Sequence, residues 1–372
     1  MNENSKKQFF ALVKSGLWNV PIDESLFTDV DWKAILSICD EQTLNGILFE
    51  GISMLPTDRQ PSTALMRQLY QRVICIEQTH TLLNQRLKDA IKILQSESIT
   101  PILLKGQGVA LNYLEPIRRQ CGDIDLYVGK KDYDRAYSIF LALGLEAEDD
   151  GECASKHYHF EWKGVTIELH KIADNLPMHN RKFQKWTHKH LKGDSLRKVN
   201  IGGGDVLLPP FNFDAFYIFL HLFSHLMLGG IGLRQLCDWA RYLHVNKNQI
   251  NQDELLHDLK SLGLYHAWQV FGCIVVNELG LPQGDFPFYT TRYKQDATIV
   301  LKNIFQMGNF GQNDPTRSKG SGGYISQKWH SLMHHQKQMG RLFSVFPIEI
   351  SEYGIYYLLA RSYRAINTIA KR

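Results

Sequence analysis

Apolar residues recur along the chain first at helical spacing, then at strand spacing, then at helical spacing again. Phe9, Phe10, Leu12, Val13, Leu17 and Trp18 repeat with a helical period, and Asp31 stands as an N-cap before Ala34, Ile35 and Leu36. Leu65, Leu69, Val73, Ile76, Leu83, Leu87, Ile91 and Leu94 form one stripe between Ser62 and Gln95, so the first 96 residues read as helical. The period then changes to two. Ile99–Leu104 is an apolar strand, and in Gly122–Val128 the residues Asp123 and Asp125 share one face while Ile124, Leu126 and Val128 share the other. Asp132 to Leu143 is an amphipathic helix with Asp132 as its cap and Gly144 as its stop. Lys156–Trp162 and Val165–His170 alternate on either side of Lys163-Gly164, the chemistry of a tight hairpin turn. From about Asp205 the chain reads as helical again, through Phe211–Leu228, Asp296–Met307, Gln327–Arg341 and Ile348–Ile369.

This order predicts an α+β protein: a small mixed sheet within residues 97–175, an N-terminal helical segment 1–96 and a larger C-terminal helical domain 176–372. The Gly, Ser, Asn and Asp residues of Gly308–Gly323 predict a mobile loop. A chain of 372 residues suits two or three domains and buries roughly three quarters of its unfolded surface, so it needs no covalent staples.

Composition narrows the setting. The six cysteines, Cys39, Cys75, Cys121, Cys153, Cys237 and Cys273, include no Cys-x-x-Cys pair, which points to reduced thiols in a cytoplasm rather than a disulfide framework or a zinc finger. Met1 to Lys7 is polar and Lys14 interrupts the apolar run after it, so no signal peptide is expected. The most apolar window, Phe213–Leu233, contains His221, Ser224, His225 and Gly229-Gly230, and reads as a core helix rather than a membrane span. A net charge of +4 fits an anionic substrate without demanding nucleic acid.

Three stretches carry chemistry. Two like charges on one strand face are costly unless a cation lies between them, and Mg²⁺ binds through one or two carboxylates plus substrate phosphates. The plain alternative for Asp123 and Asp125 is a Gly-Asp turn leading into an exposed strand. Upstream, the strand ending at Leu104 runs into Lys105-Gly106-Gln107-Gly108 and then a helical Val109–Leu114, an arrangement that admits a phosphate to the backbone. Downstream, Thr166, Glu168 and His170 share a strand face, making Glu168 a candidate third carboxylate or else a solvated edge residue. His221 and His225 lie one helical turn apart, as two metal ligands or as a structural pair. Gly229-Gly230-Ile231-Gly232 suggests close approach to a ligand or partner, and Arg234 either faces the cleft or pairs with Asp238 four residues on. His330, His334 and His335 have no acidic or cysteine partner nearby and read as surface or core histidines.

Leu104-Lys105-Gly106, Ala110-Leu111, Leu114, Pro116, Arg119 and Gly122-Asp123-Ile124-Asp125-Leu126 resemble a family of uncharacterised bacterial nucleotidyltransferases within the DNA polymerase beta-like superfamily. The resemblance implies a nucleotidyltransferase sheet and a site in which Asp123, Asp125 and Glu168 hold Mg²⁺ or Mn²⁺. It also implies that Gly106 and Gln107 border the phosphates of an NTP such as ATP, with Lys105 and Arg119 as cations beside them. Gln107 departs from the superfamily, where a Gly or Ser follows the glycine, and so lacks the phosphate-binding hydroxyl. Arg234, His221 and His225 are then expected across the cleft, on the nucleotide or the acceptor.

The implied activity is transfer of a nucleoside monophosphate from an NTP to an acceptor, with a small molecule, sugar or protein favoured over RNA because no basic stripe interleaved with aromatics stands out. The alternatives are a degenerate member that binds nucleotide or a protein partner without turnover, and a helical metal protein built on His221 and His225.

Overall fold

The computed structural model describes residues 3–148, 157–312 and 336–356. Three N-terminal helices, α1 (Glu3–Trp18), α2 (Trp32–Glu41) and α3 (Asn45–Ser53), open the chain. Helices α1 and α3 cross at glycine. A Cβ on Gly16 would lie 1.9 Å from the Ile47 carbonyl oxygen, and one on Gly51 would lie 2.1 Å from that of Leu12, so only glycine permits this approach. Asp31 caps α2 as expected, accepting from the Ala34 N–H at 3.0 Å. The long stripe forms one unbroken helix, α4 (Thr63–Ser96).

The sheet begins with β1 (Ile102–Leu104), followed by the single turn α5 (Gly106–Ala110), β2 (Asp123–Tyr127) and α6 (Gly129–Ala142). Helix α6 starts three residues earlier than expected, so Asp132 sits in its first turn and pairs with Arg135 instead of capping. Gly144 ends this segment with φ +75°, as its lack of a Cβ allows. Next come β3 (Ala147–Glu148), β4 (His157–Trp162) and β5 (Val165–His170). Lys163 and Gly164, both with positive φ, make the β4–β5 turn.

After α7 (Asn180–His190), a hairpin of β6 (Arg197–Ile201) and β7 (Gly204–Leu208) returns to the sheet. The seven strands lie in the order β3-β4-β5-β2-β1-β7-β6. The pairings β2–β5 and β1–β7 are parallel and the others antiparallel. The sheet thus draws on residues 197–208, beyond the 97–175 segment where strand periodicity was read.

One sheet face is a dry core. Ile124, Leu126, Ile167 and Leu169 pack with Leu87, Ile91 and Leu94 of α4 and Tyr133 and Phe140 of α6. Strand alternation turns Asp123, Asp125, Glu168 and His170 to the opposite face. The C-terminal region there comprises α8 (Phe211–Leu228), α9 (Leu233–Asn246), α10 (Gln252–Ser261), α11 (Tyr265–Asn277) and α12 (Lys294–Met307), with Trp239 and Trp268 among its fully buried side chains. Helix α8 is long and apolar enough by composition to cross a membrane, yet 78% of that window is buried inside the protein, the place of a core helix. Residues 336–342 and 347–356 are also helical. Most of the expected 308–323 loop, the start of the 327–341 helix with His330, His334 and His335, the end of the 348–369 helix and Cys153 lie outside the described residues.

Candidate active site

The parallel register of β2 and β5 sets Asp123 beside Thr166 and Asp125 beside Glu168. Both carboxylates meet the same ring: His170 Nε2 lies 2.9 Å from Asp125 Oδ1 and 3.2 Å from Glu168 Oε2. A second cation, Lys105, places Nζ 3.0 Å from Asp125 Oδ1. Asp125, Lys105 and His170 are nearly sealed from solvent, with side-chain exposures of 2%, 14% and 2%.

Burial alone would make Lys105 and His170 neutral, but the acids outweigh it. The charges of Asp125 and its neighbours hold the Lys105 ammonium well above the ordinary lysine range, and hydrogen bonds to Asp125 and Glu168 raise the His170 pKa. In return Lys105 and His170 hold Asp125 well below the usual carboxylate range, and His170 takes Glu168 down to about 2, both against the effect of burial. Asp123 shifts the other way. Burial and the charge of Asp125 push it up to about 6, only partly offset by Lys105 and Arg234.

The turn after β1 delivers Lys105 at a local cost. Its φ of +50° and ψ of −137° form a conformation that side chains other than glycine rarely adopt, a strain of about 1–3 kcal/mol. Gly106 follows at φ +45°, and a Cβ there would lie 3.5 Å from the Asp123 carbonyl oxygen, so the turn rests on β2. The expected Val109–Leu114 helix is instead the five-residue α5, too short for an appreciable helix dipole. Gln107 is buried, and neither its Oε1 nor its Nε2 has a hydrogen-bond partner in the protein.

Helix α8 forms the opposite wall. Lys105 Nζ lies 3.3 Å from His221 Nε2, which is also 3.0 Å from His225 Nε2. An ammonium only donates, so His221 Nε2 carries the lone pair and its Nδ1–H faces Asp174 Oδ2 at 3.7 Å. Burial and the Lys105 charge lower the His221 pKa to about 4, keeping the ring neutral. The His221–His225 pair thereby supports Lys105, with His221 Nε2 accepting from the ammonium.

Arg119 is bonded to α9 and to its own loop. Its Nε and Nη2 donate to Asp238 Oδ1 and Oδ2 at 2.9 and 2.8 Å, and its Nη1 to Cys121 Sγ at 2.7 Å. Tyr113 Oη and Arg234 Nη1 donate to the same carboxylate, at 2.7 and 3.2 Å. Arg119 thereby pins the loop before β2 to α9. Arg234 pairs with Asp238, the structural reading of its role, and its charge also lowers the Asp123 pKa. The glycine-rich loop before α9 packs on its own chain, since a Cβ on Gly230 would lie 2.9 Å from Met307 Cβ.

Beside the loop that enters β2 lies a cavity of about 580 Å³ lined by Asn45, Gln68, Gln71, Thr79, Gln120 and Cys121, among others. The arginine in its wall, Arg72, is neutralised by Asp40.

A family model described as uncharacterised nucleotidyltransferase matches residues 28–278, about two thirds of the chain. The chain belongs to the uncharacterised nucleotidyltransferase family. The matched span runs from just before α2 to the end of α11, so the family unit includes α2 and α3, the β6–β7 hairpin, His221 and Asp238 as well as the Asp-x-Asp strand, and leaves out α1. Neither a curated protein nor a solved structure matches the chain.

The acids of this family member are of a kind that suits a divalent cation. One ligand atom each from Asp125, Glu168 and His170 lies within 4.8 Å of the others, and Lys105 Nζ stands in the field of the same carboxylates. Asp123 is outside that cluster but shares its electrostatics. His170 was passed over in the sequence, although its place two residues after Glu168 assigns it to the same strand face.

Proposed function

We propose that the protein transfers a nucleoside monophosphate from an NTP to an acceptor hydroxyl, with Asp123, Asp125 and Glu168 as the ligands of Mg²⁺ or Mn²⁺. The observation that carries this reading is the convergence of Asp125 and Glu168, from neighbouring strands, on one buried cationic position. When bound, the metal supplies charge stabilisation to the triphosphate and acidifies the attacking hydroxyl. The acceptor oxygen forms a bond to the α-phosphorus, the bond to the bridging oxygen breaks, pyrophosphate leaves and the hydroxyl proton is released.

The protein's own groups position and neutralise. Lys105, held charged by Asp125 and oriented by His221, offers an ammonium to phosphate oxygens at the turn. Arg234 adds positive potential near Asp123. The amide-lined cavity, with its arginine already neutralised, fits an uncharged hydroxylated small molecule better than a polyanion, in keeping with a small-molecule or sugar acceptor over RNA.

Incubating the protein with each labelled NTP, Mg²⁺ or Mn²⁺ and a cell extract tests the reading. Label is expected in a small-molecule or protein fraction. Nucleotide binding with no transferred label under any condition supports the non-catalytic alternative, which the Lys105 and His170 contacts to Asp125 and the missing hydroxyl at Gln107 favour.

A further inference from the structure

A second group of ligand-type side chains stands beside the acid pair. The antiparallel register of β4 and β5 sets His157 opposite His170 and His159 opposite Glu168, so three imidazoles and a carboxylate form a two-by-two block on one sheet face. Alternation sends Phe160 to the core on the other face.

Of the three rings, His170 bonds Glu168 at 3.2 Å, while His157 and His159 flank it at longer range. His157 Nε2 lies 3.9 Å from Glu168 Oε2, and His159 Nδ1 lies 3.7 Å from Oε1, both beyond the hydrogen-bond range. His159 Nε2 is buried with no hydrogen-bond partner, while its Nδ1 faces Glu168. One ligand atom from each of His157, His159 and Glu168 lies within 4.8 Å of the other two. Ligand bonds of about 2.0–2.2 Å put neighbouring ligand atoms roughly 3.0–3.6 Å apart, so closing on an ion takes side-chain shifts of about an ångström.

We propose that His157, His159 and Glu168 form a binding site for a divalent transition ion of the Mn²⁺, Fe²⁺, Co²⁺ or Zn²⁺ class. Imidazole nitrogen suits these ions, whereas Mg²⁺ prefers an all-oxygen shell. Glu168 presents Oε1 to His159 and Oε2 to both His157 and His170, so the carboxylate is shared between this site and the Asp125 position. The site goes beyond the transferase reading and stands without it, because the ion is recognised in the absence of any nucleotide.

Co²⁺ is the probe. The full-length protein, stripped by chelator, is titrated with Co²⁺ alone while its visible absorption is followed, and one ion per chain with nitrogen-ligand bands is expected. His159→Gln, at a partly exposed ring that holds no hydrogen bond, should weaken binding by about tenfold or more with an unchanged thermal midpoint, and the His157→Ala/His159→Ala pair should abolish it. Asp125→Asn should bind Co²⁺ within about threefold of the parent, and a hundredfold excess of Mg²⁺, roughly, should leave the bands in place. The site is overturned if the bands are absent from the parent, persist unchanged in His159→Gln, vanish in Asp125→Asn, or depend instead on His221 and His225. Loss of NTP transfer bears on none of these readings.

Discussion

Asp125 and Glu168 share a single imidazole, with His170 Nε2 at 2.9 Å from one carboxylate and 3.2 Å from the other. Adjacent parallel strands bring the acids side by side, and the ring and Lys105 supply the positive charge that keeps both ionised.

Lys105 and Asp125 should be energetically coupled. Removing the ammonium in Lys105→Met leaves a buried carboxylate with one cation fewer, and Asp125→Asn relieves that loss. A double-mutant cycle on thermal or urea unfolding is expected to give a coupling above about 1 kcal/mol. Additive effects would mean that the pair contributes nothing to the fold.

Asp123 predicts a pH dependence in the metal-free protein. Its folded pKa of about 6 exceeds its ordinary value of 3.8, so the folded state holds the proton more tightly. The stability this confers is full below about pH 4 and is lost as pH rises through 6. Glu168, lowered to about 2, contributes stability that is full above about pH 4.5 and is lost as pH falls toward 2, so it is flat between pH 5 and 7. Between pH 5 and 7, Asp123 should therefore cost the parent on the order of 1 kcal/mol that Asp123→Asn does not lose. Parallel pH profiles of parent and variant would assign the slope to another group.

Arg119 and Arg234 should separate by phenotype. Arg119→Lys breaks a buried two-point contact to Asp238 that a single ammonium cannot replace, and a stability loss of about 3 kcal/mol is expected. Arg234→Ala removes a longer, partly exposed contact and should cost less than about 1 kcal/mol, while weakening NTP binding in a nucleotide titration. Equal destabilisation by both, with unchanged NTP binding in Arg234→Ala, would reduce Arg234 to a structural partner of Asp238.

Local pattern made much of this architecture readable. The alternation of Asp123 and Asp125 with Ile124 and Leu126 gave the site face of β2, and Lys163-Gly164 gave the β4–β5 turn. What stayed hidden depends on contacts far apart in the chain. The bond between Arg119 and Asp238 spans 119 residues, and no periodicity marks it. His157 and His159 were visible on an alternating strand, but their approach to Glu168 follows from the β4–β5 register. The β6–β7 hairpin is short and precedes a strongly helical stretch, so its strand period was absorbed into the helical reading. The five-residue α5 ends where a run of apolar residues suggested continuation, because Leu111 and Leu114 point to solvent instead of forming a buried stripe.

Whether Asp125 serves nucleotide transfer is decided by comparing the parent and Asp125→Asn in one labelled-NTP transfer assay with matched thermal unfolding. The variant is expected to stay folded at the assay temperature but to transfer label at least about a thousandfold more slowly, since it loses one negative charge from the cation position. Transfer by Asp125→Asn at the parent's rate would contradict that role and leave the buried carboxylate a structural partner of Lys105 and His170.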